Sequence, residues 1–332
     1  FGSRCSKKPT VAGLWECRLV CGGSMPELDE GGVTRVPILN SWYETWKEQD
    51  QAALQTEHKV VINLEAQPPR PNRYKSRQLL EAKWKDRTHF AQFAGAGDKN
   101  TVKLRWAFDG SVDDVALDTT MPVRSLAIYG PKENRLRVQA AIFISLHWSS
   151  PGAIGVLLEH GRATGTNDGE RELGIGCEDL HASYGRVKQW EGSRSLQAVP
   201  TGTGCLVAEL FKKPRPSGAP GTEERAFLLL VGTKETRQAA AEVTRLCMLA
   251  NTKDNNLTVP DHLRETCTSL YVPTRALEEI EGKHKANLAA TMESTSTFIF
   301  ALREHAGAKQ PPVDPSENLA EAVLDTLRKG PQ

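Results

Sequence analysis

Hydrophobic and polar positions along the chain fall into one pattern that occurs more than once. Residues 122–129 (PVRSLAIY) form a short, largely apolar run, which predicts a strand. The polar hexamer Gly130-Pro131-Lys132-Glu133-Asn134-Arg135 follows, and apolar residues at helical spacing then reach about Leu146. Further along, residues 225–231 (RAFLLLV) predict a second strand. Gly232-Thr233-Lys234-Glu235-Thr236-Arg237 and a helix to about Leu249 come next. Both hexamers read G-x-K-E-x-R. The glycine ends a strand where positive φ is cheap, and Glu133 and Glu235 enter the first helical turn, where the macrodipole favours an anion. Two such matches in the same context indicate repeated units.

Each copy is preceded by a further strand and a polar loop. Before the second these are residues 205–211 (CLVAELF) and the Pro/Gly-rich 212–224. Before the first they are residues 101–108 (TVKLRWAF) and the acidic 109–120. A weaker echo lies near the N-terminus, with strands at 14–21 and 33–39 and a helix over about 41–55.

The C-terminal third has the most specific spacing. Residues 268–273 (TSLYVP) predict a strand and 274–280 a short helix. Gly282-Lys283-His284-Lys285 then lead into a helix over 286–294 and a strand over 297–302. This order resembles the type I KH (K homology) domain: strand, helix, GxxG loop, helix, strand, variable loop, strand, helix. Val272, Gly282, Leu288, Thr295 and Ile299 stand at that family's characteristic intervals. A middle unit is similar, with Ile175 ten positions before Gly185, Leu196 and Val199 on the second helix, and Thr203-Gly204 before the next strand. In a first unit, residues 59–64 are expected as a strand, 73–85 as a helix, and Lys85-Asp86-Arg87 as the loop, without glycine.

The resemblance implies an α/β (α+β) chain of tandem KH-like modules, each a three-stranded sheet with helices packed on one face. The expected units are 1–57 (partial or degenerate), 58–150, 151–252 and 264–330, with neighbours packed together. It also implies a non-catalytic adaptor for single-stranded RNA, with nucleotides in a groove beside the glycine loop. Lys188 and Lys285 replace the second loop glycine, so each loop is a modified clamp in which lysine meets phosphate as a point charge.

Charge sharpens this picture. The chain of 332 residues carries 42 basic and 41 acidic side chains, so any RNA site must come from local clustering. The best cluster, residues 70–106, holds Arg73, Lys75, Arg77, Lys83, Lys85, Arg87, Lys103 and Arg105, with Arg70 and Lys99. Tyr74, Trp84, Phe90, Phe93 and Trp106 are interleaved. Cations beside stacking aromatics suit a single-strand site, while a solvated basic helix over an aromatic core, or a protein contact, has the same composition. Further candidates are Gly185, Arg186, Lys188 and Arg194 in the middle unit, and Gly282, Lys283, His284 and Lys285 in the last. Asp113-Asp114 and Glu278-Glu279, with Glu281, place opposing charge nearby.

Phosphate-loop, zincin and nucleophile-elbow motifs are absent from the sequence, so no enzyme, cofactor or metal is expected. Seven scattered cysteines without a CxxC pair fit thiols in a reducing compartment. The longest apolar run, 140–146, is far shorter than the roughly 20 residues that span a bilayer, so no membrane partner is expected. The basic, acid-poor stretch after Phe1 is read either as the remnant behind an organellar presequence or as a boundary of the piece. The first reading makes a mitochondrion the expected place, and RNA editing or maturation the expected setting. The alternative role is a ribonucleoprotein or mitoribosome-assembly scaffold whose KH-like units hold other proteins and have lost RNA contact.

Overall fold

The computed structural model describes residues 32–71, 73–163, 173–184, 187, 199–200, 202–212 and 225–250. Nearer the C-terminus it describes 276, 279–280, 282, 286–295 and 299. In chain order, β1 (Thr34–Ile38) leads into α1 (Asn40–Gln49), α2 (Gln51–His58) and β2 (Val61–Leu64). Strands β3 (Leu79–Trp84), β4 (Arg87–Ala96), β5 (Thr101–Trp106), β6 (Val112–Ala116) and β7 (Thr120–Pro122) follow, and then β8 (Arg124–Tyr129). Next come α3 (Lys132–Ser149), α4 (Ala153–Ala163), β9 (Gly174–Ser183), β10 (Val207–Lys212), β11 (Arg225–Gly232) and α5 (Lys234–Ala250). Helix α6 is Ala286–Thr295. The protein is α+β, with three antiparallel sheets among the described residues.

The first sheet runs β1-β8-β2, so its central strand comes last in sequence. Val36 and Ile38 of β1, Ile62 of β2, and Leu126 and Ile128 of β8 point into one core with Trp42 and Trp46 of α1 and Phe143 of α3. Trp42 and Trp46, one helical turn apart, stack with centroids 4.8 Å apart. Strand β1, from the segment expected as a separate N-terminal unit, pairs in this sheet with β8, from the segment expected as the next. Gly130 closes β8 at φ +141, where an added Cβ would stand 3.1 Å from Val60 and 3.4 Å from the Lys59 carbonyl.

The second sheet runs β10-β11-β9, again with the last strand central. Strand β11 is buried on both faces, which explains its unbroken apolar run. Ala226, Leu228 and Leu230 face Ala240 and Ala241 of α5. Phe227, Leu229 and Val231 join the core built on α3. Helix α3 thus sits between the two sheets, and its Arg137 Nη1 donates to the Leu206 carbonyl at 2.8 Å.

The two G-x-K-E-x-R segments do the same structural work. Arg135 Nη1 donates to the Gly130 carbonyl at 2.6 Å, and Arg237 Nη1 to the Gly232 carbonyl at 2.7 Å. Arg135 Nε also reaches Thr34 Oγ1 at the start of β1, at 3.1 Å. Arg237 lies against Gly176 at the start of β9, so close that a Cβ there would meet Nε at 2.7 Å. In each unit the repeated arginine ties the end of the central strand to the beginning of the first.

The third sheet, β6-β5-β4-β3-β7, lies between β2 and β8 in sequence and is a correction to the sequence reading. Residues 73–85 were expected as a helix; they form a loop and then strand β3. Lys85-Asp86-Arg87, expected between two helices, lies at the turn of the β3–β4 hairpin, where Trp84 pairs with Arg87. Helix formers such as Leu, Glu, Ala and Lys fill β3, yet both its faces are covered. Leu79 enters the core of the first sheet, while Leu80 and Ala82 enter a separate core with Ala91, Leu104 and Trp106. Tertiary burial overrides local propensity here. Residues 109–120, expected as an acidic loop, contain β6 and a 3₁₀ turn at Leu117–Thr119. Among the described residues no helix is long and apolar enough to cross a membrane.

Candidate nucleic-acid interface

Alternation within the five-stranded sheet sorts the basic cluster onto distinct surfaces. In β5, Val102, Leu104 and Trp106 point inward, which leaves Lys103 and Arg105 exposed on the opposite face. Lys103 pairs across the sheet with Asp114 of β6, and Arg105 with Gln92 of β4 and Val112 of β6. Lys83, in phase with Leu79 and Glu81 along β3, is exposed on that same outer face. Trp84 instead shares the phase of Leu80 and Ala82 and stands at the hairpin tip with Lys85 and Arg87.

Arg73, Lys75 and Arg77 are exposed in the loop before β3. Arg77 holds φ +59 and lies 3.6 Å from the Glu159 carboxylate of α4. The eight cations and Trp84 therefore gather on one inserted sheet, but as a loop, an outer face and a hairpin tip.

The aromatics divide differently from the expectation. Phe90 and Trp106 are 0% and 1% exposed, and Tyr74 is buried beneath the sheet. Trp106 Nε1 donates to Asp113 Oδ2 at 2.8 Å, which satisfies the one polar atom of the buried indole. These rings are core and cannot stack on a base. Trp84, 36% exposed, is the aromatic of the cluster that solvent reaches most. Its indole is braced from within by Trp106, edge-on at 5.3 Å, and by Phe108 at 5.9 Å.

A shallow cleft of about 210 Å³ opens at this tip, lined by Trp84, Lys85, Asp86, Arg87 and His89. Lys85 turns the hairpin at φ +52, in the left-handed region. His89 closes the floor. Its ring packs edge-on to Phe108 at 5.0 Å, and its Nδ1 lies 3.4 Å from Ser150 Oγ. Burial, reinforced by the Arg87 charge, pushes the His89 pKa down, so the ring is neutral near pH 7. Asp86 and His89 were not candidates in the sequence, because no spacing marks them; only the hairpin brings them together. Trp148, 56% exposed at the end of α3, also escaped the sequence reading.

Gly282 holds φ +65 between the helical residues Glu279 and Ile280 and helix α6. A Cβ there would meet the Asn287 side chain at 2.6 Å, and Asn287 Nδ2 donates to the Glu279 carbonyl at 3.0 Å. Its left-handed φ makes any residue with a Cβ strained at this position. In the middle unit Tyr184 and Val187 are helical, as are Val199, Pro200, Gly202 and Thr203. Gly185, Arg186, Lys188, Arg194, Lys283, His284 and Lys285 lie outside the described residues. In the first unit α1 meets α2 at Asp50, a junction without glycine and with Glu44 and Glu48 exposed on α1.

Among the described residues no cluster of His, Cys, Asp or Glu is arranged to hold a metal ion. No family model, curated protein or solved structure matches the chain.

Proposed function

We propose that this chain is a non-catalytic adaptor for single-stranded RNA, built from KH-like modules, within a larger RNA-processing assembly; organellar RNA editing or maturation is the setting we favour. The observation that carries this reading is a recurring order of elements. Strand, helix, helix, strand, strand, helix appears as β1-α1-α2-β2-β8-α3. Among the described residues it recurs as β9, then the helical residues Tyr184, Val187, Val199, Pro200, Gly202 and Thr203, then β10-β11-α5. In both units the last strand is central and antiparallel to its neighbours.

The five-stranded sheet occupies the place of the variable loop in the first unit, and its exposed cations are the RNA-facing groups of this proposal. Cations on a rigid sheet track phosphates without sequence preference, and an exposed indole adds stacking.

A second reading is a protein scaffold that has lost RNA contact. The α1–α2 junction favours it, because Asp50 stands where a glycine clamp is expected and repels phosphate.

Filter binding of the full chain to a single-stranded oligonucleotide across a salt series tests the two. Adaptor function predicts salt-dependent binding that weakens in Lys85→Ala/Arg87→Ala and in Lys103→Ala/Arg105→Ala. The salt slope should flatten by about 0.7 for each phosphate contact removed. Binding unchanged in both pairs, or absent at low salt, rejects the assignment of RNA to this sheet.

A further inference from the structure

The tip of the β3–β4 hairpin gathers three kinds of complementary group in one cleft, and we infer that it accepts a single unpaired guanine nucleotide. This inference rests on the RNA-binding reading above and narrows it to one residue of the strand. Trp84 offers a π-surface that is partly open to solvent and already held in place by Trp106 and Phe108. A braced ring loses little conformational freedom when a base stacks on it. Lys85 and Arg87 flank Asp86 around the turn, and all three line the same cleft. Both cations are exposed, and the three side chains together carry one net positive charge, which complements one phosphodiester.

Asp86 sets the base. An ionised carboxylate only accepts hydrogen bonds, and it accepts two in parallel. Guanine is the one RNA base whose Watson–Crick edge presents two adjacent donors, N1–H and the N2 amino group. Adenine, cytosine and uracil each place an acceptor beside their donor on that edge, and it would face a carboxylate oxygen. The neutral His89 floor adds no charge to disturb this preference. The cleft of about 210 Å³ is open and shallow, so it admits a base on a flexible strand and does not enclose one. A nucleotide bulged or splayed from a single strand has the freedom to enter such a site.

Guanine chemistry has two sources, a residue within RNA or a free nucleotide, and the assay separates them. Fluorescence anisotropy of the full chain compares a uridine oligomer with the same oligomer carrying one central guanosine or one central adenosine. Guanosine should bind about tenfold tighter than adenosine, the preference of one good bidentate pair. Asp86→Ala should bring the two to parity while strengthening the all-uridine oligomer, since a repulsive charge is lost. Those opposite movements are not produced by a merely structural role, and Asp86 lies on an exposed turn outside the core. Trp84→Leu should weaken the guanosine oligomer about tenfold through lost stacking. Lys103→Ala/Arg105→Ala, on the other face, should weaken all oligomers alike and keep the preference.

Salt-dependent RNA binding without a guanosine preference, or a preference that survives Asp86→Ala, overturns the cleft assignment and leaves the adaptor reading standing. Absence of binding to any oligomer refutes that reading and the cleft with it. Guanosine monophosphate binding as tightly as the guanosine oligomer would overturn the RNA source in favour of free nucleotide.

Discussion

Glu81 joins the inserted sheet to the first unit, and its removal offers the clearest test of how the two hold together. Helix α1 starts without a cap of its own: Leu39 precedes it and supplies no side-chain hydrogen bond. The orphan donor is met from β3 instead. Glu81 Oε2 accepts the Asn40 backbone N–H at 2.9 Å, and Oε1 accepts Asn40 Nδ2 at 2.8 Å. The carboxylate is buried and sits at the positive end of the helix dipole. Losing a helix N-cap costs about 1 kcal/mol, and a hydrogen bond to a charged acceptor contributes about 1.5–3 kcal/mol. These overlap in part, and Asn40 is only half-buried, so water recovers some of the loss. Glu81→Ala should therefore destabilise the protein by about 2 kcal/mol, and Glu81→Gln, which keeps one acceptor, by about half as much. Urea unfolding followed by tryptophan fluorescence reads this directly, because Trp42 and Trp46 lie on α1 itself. A double-mutant cycle with Asn40→Ala should return a coupling energy of about 1 kcal/mol. If Glu81→Ala shifts stability by less than about 0.5 kcal/mol, the carboxylate is a bystander and the anchoring argument fails.

Other outcomes follow from the packing of the same fold. Leu228→Ala and Leu229→Ala empty opposite faces of β11, and each should cost about 2–5 kcal/mol in chemical denaturation, since both side chains are fully buried; a harmless Leu229→Ala would mean that α3 does not pack on the second sheet. Lys85→Gly should raise stability by up to about 1 kcal/mol, because lysine holds φ +52 in a two-residue turn, and an unchanged or lower Tm would contradict that backbone geometry. His147 Nε2 donates to the Lys212 carbonyl at 2.7 Å, while its buried Nδ1 has no hydrogen-bond partner. Desolvation holds the His147 pKa below its ordinary value of 6.5, with the Lys212 charge adding to the shift and the Lys212 carbonyl partly opposing it. The folded state thus favours neutral imidazole, so this stability is complete above about pH 6.5 and is lost as pH falls through the lower folded value. His147→Gln should flatten the expected fall of Tm between pH 7 and pH 5, and an identical fall in the variant would exclude His147 as its source.

How much of this protein was legible in the chain depends on how local each feature is. The strand, G-x-K-E-x-R and helix segments were readable at both copies, because a short apolar strand, a glycine and a helical period lie within one stretch of sequence. The same holds for α6, whose helical run lies within one stretch of sequence. Strand β3 was not readable. Its leucine-rich run looks helical in isolation, and only the covering of both faces, by the core of the first sheet and by that of the insert, makes it a strand.

For the candidate site the chain supplied the inventory of cations and aromatics, and the tertiary structure decided their roles. Trp84 and Trp106 are both tryptophans within one basic stretch. One ends at a hairpin tip with its ring partly in water, and the other sits beneath the sheet with its N–H on Asp113. Strand alternation assigns a side chain to a face, but which face meets solvent depends on partners far away in sequence. Distant pairing, as of β1 with β8, is what sequence periodicity alone does not encode.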